Sequence, residues 1–290
     1  LRSKRYDVIY AHWLFPAGFV GLILSRIYHS KVVSAMWGYD IQVIKGVRNY
    51  GIGGSRRVMS RFVIERSDVV IANHMVHKVM AESLVKRVSN KIVHIPPGLP
   101  DISSDVDVVE NRSDLVDIVR SLTGKKVVLY APHLRPLYVI MEFIKAIPLV
   151  SHVVEDVVFI IVGEGELKDE AVKLVRESGF EKNVLFLGRV NHDIMKLLYQ
   201  MASVVCDLAY PGTGTTSLEA FCFGKPVIGI RSPKSVVQHG INGFLVERGD
   251  YCTLADYIIK ILNDVNLRET LSKNARKIYE EKYSIEKRVM

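Results

Sequence analysis

The stretch 157–188, VVFIIVGEGELKDEAVKLVRESGFEKNVLFLG, decides how the chain is read. VVFIIVG is a short apolar run rich in β-branched residues. GELKDEAVKLVRESG has the spacing of a helix that ends at Gly179, with lysine and arginine in its later turns, and NVLFLG is the next strand. Strand, helix and strand in that order predict a parallel pair with the helix crossing over one face. The alternation continues outward. Downstream come HDIMKLLYQM as a helix, VVCDLAY as a strand, a helix ending at Gly224, the strand PVIGI, the closing strand in GFLVERGD and a helical tail from Leu254. Upstream, KVVLYAP reads as a strand and YVIMEFIKAIPLVSHV as a helix. Farther back, VIYA (8–11), KVVSAM (31–36), DVVIAN (68–73) and KIVHIP (91–96) are separated by the helical patterns GFVGLILSRIYH and RRVMSRFVIERS.

Between the two series, PPGLPDISSDVDVVENRSDLVD (96–117) breaks the rhythm with proline, glycine and acidic residues. The expected organisation is two doubly wound lobes in tandem. Residues 1–105 form an amino-terminal lobe, 106–123 a link, 124–275 a carboxy-terminal lobe and 276–290 a helical tail. The chain opens at Leu1 in what reads as the middle of a domain, so the first lobe is expected to be incomplete. Ligands are expected at the carboxyl ends of the strands and in the crevice between lobes.

Composition bounds the function. With 290 residues, 49% of them hydrophobic, the chain can bury a large core. A formal net charge of +8 is compatible with nucleic acid, an anionic membrane or a phosphorylated substrate, and does not choose among them. Cys206, Cys222 and Cys252 have no CxxC spacing and make an odd count, which suits reduced thiols in a cytoplasmic protein better than disulfides or a metal site. The longest apolar run, Leu14 to Leu24, is too short to span a bilayer and contains Pro16.

Two segments carry candidate chemistry. In 158–171, Gly163 and Gly165 let backbone approach a ligand at a strand end, or serve a tight turn; Glu164 and Glu166 argue against a pyrophosphate there. In 210–228, YPGTGTTSLEAFCFGKPVI, Gly212, Gly214, Thr215, Thr216 and Ser217 offer backbone N–H groups at a helix start, where the dipole favours an anion. Glu219, expected in the first turn, either receives a pair of vicinal hydroxyls, as carboxylates do for ribose, or merely complements the helix dipole.

The order VGxG, NVxFLGxV, the LEAxxxGKPVI segment and HGINGFLVERGD resembles the carboxy-terminal lobe of retaining GT-B glycosyltransferases of the group 1 type (glycosyltransferase family four). YDVIYAHWLFPAGFVG, SAMWGYDIQ, RSDVVIANHMVHKVM and KIVHIPPGL match the amino-terminal half in the same order, so the resemblance spans residues 5–285. It implies a GT-B fold, α/β with two Rossmann-like lobes, and transfer of a hexosyl group from a nucleotide-diphosphate sugar to an acceptor hydroxyl with retention. It implies front-side displacement without a metal or other cofactor, the departing diphosphate being stabilised by backbone amides and basic side chains. Residue by residue, Glu219 matches the second glutamate of the family's E-x7-E motif and would contact the ribose. Gly214, Thr215 and Thr216 fall where amides meet the phosphates. His12 matches a histidine near the donor sugar, and Gly38 and Asp40 a glycine–acid pair lining the cleft. Taken alone, His12 equally suits a strand-end histidine satisfied by a neighbouring carbonyl, and Asp40 a helix cap.

Three positions depart from the pattern. Pro211 stands where the first motif glutamate belongs, and His133 and Tyr138 stand where an arginine–lysine pair would hold the diphosphate. Arg135, two residues on, is the candidate replacement, because guanidinium forks onto phosphate oxygens. These departures keep open a non-catalytic binding protein on the same scaffold, and an epimerase or phosphorylase on the same fold. The segment Lys45–Arg66 clusters Lys45, Arg48, Arg56, Arg57, Arg61 and Arg66. It reads as a solvated face or as a contact with an anionic membrane, consistent with a lipid-linked or glycan acceptor at the inner face of the membrane. No pattern for nucleic acid is evident.

Overall fold

The computed structural model describes residues 6–37, 53–103, 122–136, 139–210 and 215–286. The chain divides into two compact units, Leu1–Pro97 and Gly98–Met290. The expected link 106–123 lies, except for its last two residues, outside the described residues.

In the first unit, strands β1 (Val8–His12), β2 (Lys31–Met36), β3 (Val69–Ala72) and β4 (Ile92–His94) pair in sequence order, all parallel. Helices α1 (Phe19–Tyr28), α2 (Gly53–Arg66) and α3 (Met75–Leu84) connect them. Gly21 is the one buried residue of α1, and its missing side chain lets the helix lie against Ile9, Ala11 and Val32. In α2 the inward residues are Ser60, Val63 and Ile64, whereas Val58 is exposed. Arg61 pairs with Glu65 at 2.8 Å and the Arg66 guanidinium lies 4.9 Å over the Phe62 ring. Lys45 and Arg48 fall outside the described residues.

The second unit holds β5 (Lys126–Tyr130), β6 (Val157–Val162), β7 (Val184–Gly188), β8 (Val204–Asp207), β9 (Val227–Ile230) and β10 (Gly243–Val246). They form one parallel sheet in the order β10-β9-β8-β5-β6-β7. Both faces are covered, which is why these strands are apolar along their length, apart from Lys126 and Asp207 at the ends of β5 and β8, rather than alternating with polar residues. Val128 and Tyr130 of β5 enter one core with helices α4 (Ile140–Ser151) and α8 (Tyr251–Asn263), which contribute Phe143, Ile147, Ile258 and Ile261. Val127 and Leu129 enter the other. There α6 (His192–Met201), α7 (Thr215–Cys222) and α9 (Val265–Ile278) contribute Leu198, Phe221 and Ala275. Helix α5 (Lys168–Ser178) ends at Gly179, whose φ of 77° forms the left-handed cap expected from sequence. Strand order reverses between β5 and β8, so the carboxyl ends of these two neighbours flank a topological switch point. Among the described residues no helix is long and apolar enough to cross a membrane.

The irregular stretch that opens the second unit is tied to its far end. Leu99 N–H donates to Tyr283 O at 2.8 Å and Tyr279 Oη donates to Leu99 O at 2.9 Å. Arg276 of α9 donates to Asp101 Oδ2 at 2.5 Å, to Ser103 Oγ at 3.1 Å and to the Cys222 carbonyl. Burial alone would raise the Asp101 pKa. Hydrogen bonds from Arg276, from the Ser103 hydroxyl and amide and from the Cys222 thiol outweigh it and hold the carboxyl well below the usual carboxylate range. A depressed folded pKa gives stability that is present above the unfolded value and lost as pH falls toward the folded one. Asp101→Asn is therefore expected to cost on the order of 1–2 kcal/mol at pH 7, the worth of hydrogen bonds to a charged group. The gap between variant and wild type should begin to narrow below about pH 4, near the unfolded value, and keep shrinking toward lower pH, as read by urea denaturation across pH; a gap unchanged down to about pH 2 would contradict the assignment.

Candidate active site

Three loops meet the carboxyl edge around the switch point: 131–136 after β5, 163–167 after β6, and the segment leading from β8 to α7. The first two are fastened together by backbone. Leu134 N–H donates to Glu164 O at 3.2 Å, and Leu167 N–H donates to Leu134 O at 3.1 Å. A Cβ on Gly165 would sit 2.1 Å from Leu134 O, and one on Gly163, whose φ is 117°, 3.1 Å from Pro132 O. Both glycines thus serve the close approach of one loop to the other. The expectation that they admit a ligand is not needed to explain them. Leu134 is fully buried and anchors the 131–136 loop, leaving His133 and Arg135 exposed on either side of it. Glu164 pairs with Lys168 at 2.8 Å, which offsets the carboxylate that argued against an anion there.

Asp207, at the end of β8, ties that strand to the first turn of α7. Its buried Oδ2 accepts from the Ser217 amide at 3.2 Å and from the Ser217 hydroxyl. This corrects two expectations. The Ser217 N–H is engaged by the protein's own carboxylate rather than offered to a ligand, so an anion at this helix start rests on Thr215, Thr216 and the preceding loop. Helix α7 begins at Thr215, so Glu219 lies in its second turn, not its first. The macrodipole effect falls off within the first turn, which removes most of the force from reading Glu219 as a dipole complement. Gly214 and Pro211 lie outside the described residues.

Glu219 is half-buried, and its Oε2 accepts from Tyr199 Oη of α6 at 2.8 Å. Tyr199 is itself buried and stacked on Phe223 with centroids 5.7 Å apart. Burial, together with the Glu219 charge, pushes the phenol pKa well above its ordinary value, so it remains a neutral donor. Sequence reading missed Tyr199 and Asp207. An acid closing the apolar strand VVCD was the visible signal for Asp207; nothing in the sequence pointed to Tyr199.

In the first unit, His12 ends β1 beside the rings of Tyr10 and Trp37, 4.6 and 5.7 Å away. Its Nδ1 lies 3.2 Å from Trp37 Nε1. An indole N–H only donates, so Nδ1 accepts, and the neutral ring carries its proton on Nε2. The partner is an indole, not the carbonyl expected for a satisfied strand-end histidine, and His12 presents an outward donor rather than a base. Trp13, next in the chain, has φ 82°, a conformation rare for any residue but glycine. Gly38, Asp40 and Tyr138 lie outside the described residues. Within the second unit the structure thus brings Glu219, Thr215, Thr216, His133, Arg135 and Gly163 to one sheet edge.

The family model for glycosyl transferases group 1 matches residues 112–278. The chain belongs to that family. It is a nucleotide-sugar-dependent glycosyltransferase of group 1, as the resemblance implied. N-acetyl-alpha-D-glucosaminyl L-malate synthase of Bacillus anthracis is 26% identical over 99% of this chain and 73% of its own length. UDP-Gal:alpha-D-GlcNAc-diphosphoundecaprenol alpha-1,3-galactosyltransferase of Escherichia coli is 24% identical over 100% of this chain and 74% of its own. The structure of Anabaena HepE in complex with UDP-glucose superposes with a TM-score of 0.76 at 24% identity, covering 97% of this chain and 76% of that one. Its likeness gives the GT-B architecture.

The zipped loops generate a test. Gly165→Ala forces a methyl into the Leu134 carbonyl and is expected to cost about 2–3 kcal/mol, as overpacking does, while displacing His133 and Arg135 and weakening nucleotide binding. Gly179→Ala meets only open space and should cost about 1–2 kcal/mol for its left-handed φ, with binding untouched. Denaturation and nucleotide titration of both variants separate the two effects.

Proposed function

We propose that this group 1 glycosyltransferase moves a hexosyl unit from a uridine-diphosphate sugar to a hydroxyl of a lipid-linked or glycan acceptor. The observation that carries the donor side is Glu219: one carboxylate oxygen is held by Tyr199, and the other remains for the vicinal hydroxyls of a ribose. Thr215 and Thr216 at the start of α7, with the preceding loop, are assigned to the diphosphate, and Arg135 to the cationic role that His133 and Tyr138 vacate. His12 is assigned to the sugar as an Nε2–H donor, Asp40 to the reaction centre. Uridine is favoured because HepE was solved with UDP-glucose and the Escherichia coli relative is named for UDP-Gal. That relative's name also supports a lipid diphosphate acceptor, and the basic segment Lys45–Arg66 suits contact with an anionic membrane at its cytoplasmic face.

On this reading the chemistry is largely electrostatic. Negative charge develops on the leaving diphosphate as the glycosidic bond breaks, and fixed N–H donors stabilise it without reorganising. A phosphate oxygen takes the acceptor's proton as its hydroxyl attacks from the same face. A non-catalytic binding protein remains the second reading, favoured by Pro211 and His133; sugar transfer from a bound donor separates the two.

Calorimetric titration with UDP, GDP and ADP tests the donor assignment. UDP is expected to bind saturably, and Glu219→Ala to weaken it by roughly 10–100-fold, the worth of hydrogen bonds to a carboxylate. Binding by GDP or ADP in preference to UDP would overturn the uridine assignment, and undiminished binding by Glu219→Ala would overturn the role of that carboxylate.

A further inference from the structure

Tyr199 reaches the candidate nucleotide site from a separate element. It projects from α6, is 1% exposed, and is held by a stack on Phe223. Its hydroxyl donates to Glu219 Oε2 in the second turn of α7 at 2.8 Å. A phenol carries one proton, and the carboxylate takes it.

We propose that Tyr199 is a positioning residue that fixes the Glu219 carboxylate for the ribose hydroxyls. The role rests on the ribose reading of Glu219 given above. A glutamate on a half-exposed helix face has three side-chain torsions to order on binding. A buried phenol that takes Oε2 removes most of that freedom beforehand and leaves Oε1 for the ligand. Because Tyr199 belongs to α6 and not to α7, its grip also ties the second turn of α7 to a fixed point in the core. The competing role, a phenol that merely finds a partner for a buried hydroxyl, predicts loss of stability without a change in ribose recognition.

The test compares UDP with 2′,3′-dideoxy-UDP by calorimetry on wild type, Tyr199→Phe, Thr216→Val and Glu219→Ala, with melting temperatures for each. Wild type should prefer UDP by roughly tenfold or more, and Glu219→Ala should lose the preference. Tyr199→Phe should reduce it to roughly two- to threefold while dideoxy affinity holds within about twofold, because only the oriented carboxylate is lost. Thr216→Val, at a residue assigned to the diphosphate and not to the ribose, should leave the preference unchanged. If Tyr199→Phe keeps the full preference while Glu219→Ala loses it, the positioning role is overturned and the ribose reading stands. If Glu219→Ala keeps the preference, the ribose reading fails and takes the positioning role with it. Should Tyr199→Phe not fold, Phe223→Leu, which removes the stack that holds the ring, decides, and an unchanged preference there overturns the positioning role.

Discussion

A parallel sheet covered on both faces leaves one kind of place for polar chemistry, and the second unit is built under that constraint. β5, β6 and β8 bury almost every side chain they carry, alternating between two apolar cores. No strand offers a face on which a carboxylate or an imidazole can stand. Polar function is displaced to the carboxyl edge, and the reversal of strand order between β5 and β8 opens room there. The loops at that edge then have to be made rigid without a core of their own. The 131–136 and 163–167 loops achieve this through backbone pairing across Gly165, with Leu134 as the only deeply buried anchor between the two exposed side chains that flank it.

The same constraint explains what Asp207 does. A carboxylate at the last position of β8 is buried by its neighbours and must find donors. It finds them in the amide and hydroxyl of Ser217. By taking the third N–H of α7 it performs the work of a helix cap from the preceding strand, ten positions away. Helix starts are ordinarily read from a residue immediately before the first turn. Here that signal is absent, and the glycine- and threonine-rich approach gives no other marker, so the first turn was placed too late in the sequence reading and Glu219 came to sit one turn too early in the helix.

Most of the fold was legible because apolar strands and 3.6-residue periodicity are local properties. Strands at 8–12, 31–36, 69–72, 126–130, 157–162 and 184–188 stand where the sequence placed them, and so do the helices at 19–28, 53–66, 140–151 and 168–178. Glu219 stands out in the sequence as a lone acid behind a glycine- and threonine-rich, uncharged approach. Its partner does not: Tyr199 lies among the apolar residues of HDIMKLLYQM and reads as core, which by burial it is. In α2, Val63 and Ile64 are buried while Val58 is exposed, and a helix with apolar residues on several faces does not announce which face is covered. Gly163 and Gly165 were legible as necessary glycines, while the reason, a second loop pressing on them, depends on a strand pairing that no local pattern encodes.

Glu219 and His12 belong to different units, yet each is held in the same manner. One polar atom is occupied by an aromatic donor of its own unit: Oε2 of Glu219 by the Tyr199 phenol, Nδ1 of His12 by the Trp37 indole. Each bond leaves one complementary atom outward, a carboxylate oxygen that accepts and an Nε2–H that donates. Aromatic donors suit this task because a large ring is fixed by packing or stacking while its single polar atom has one good direction. The partners lie 20 and 25 residues away in sequence, so the choice of donor is settled only by the fold. Within each unit a polar group is thereby oriented without adding formal charge, and its ordering is met beforehand by a contact of that same unit.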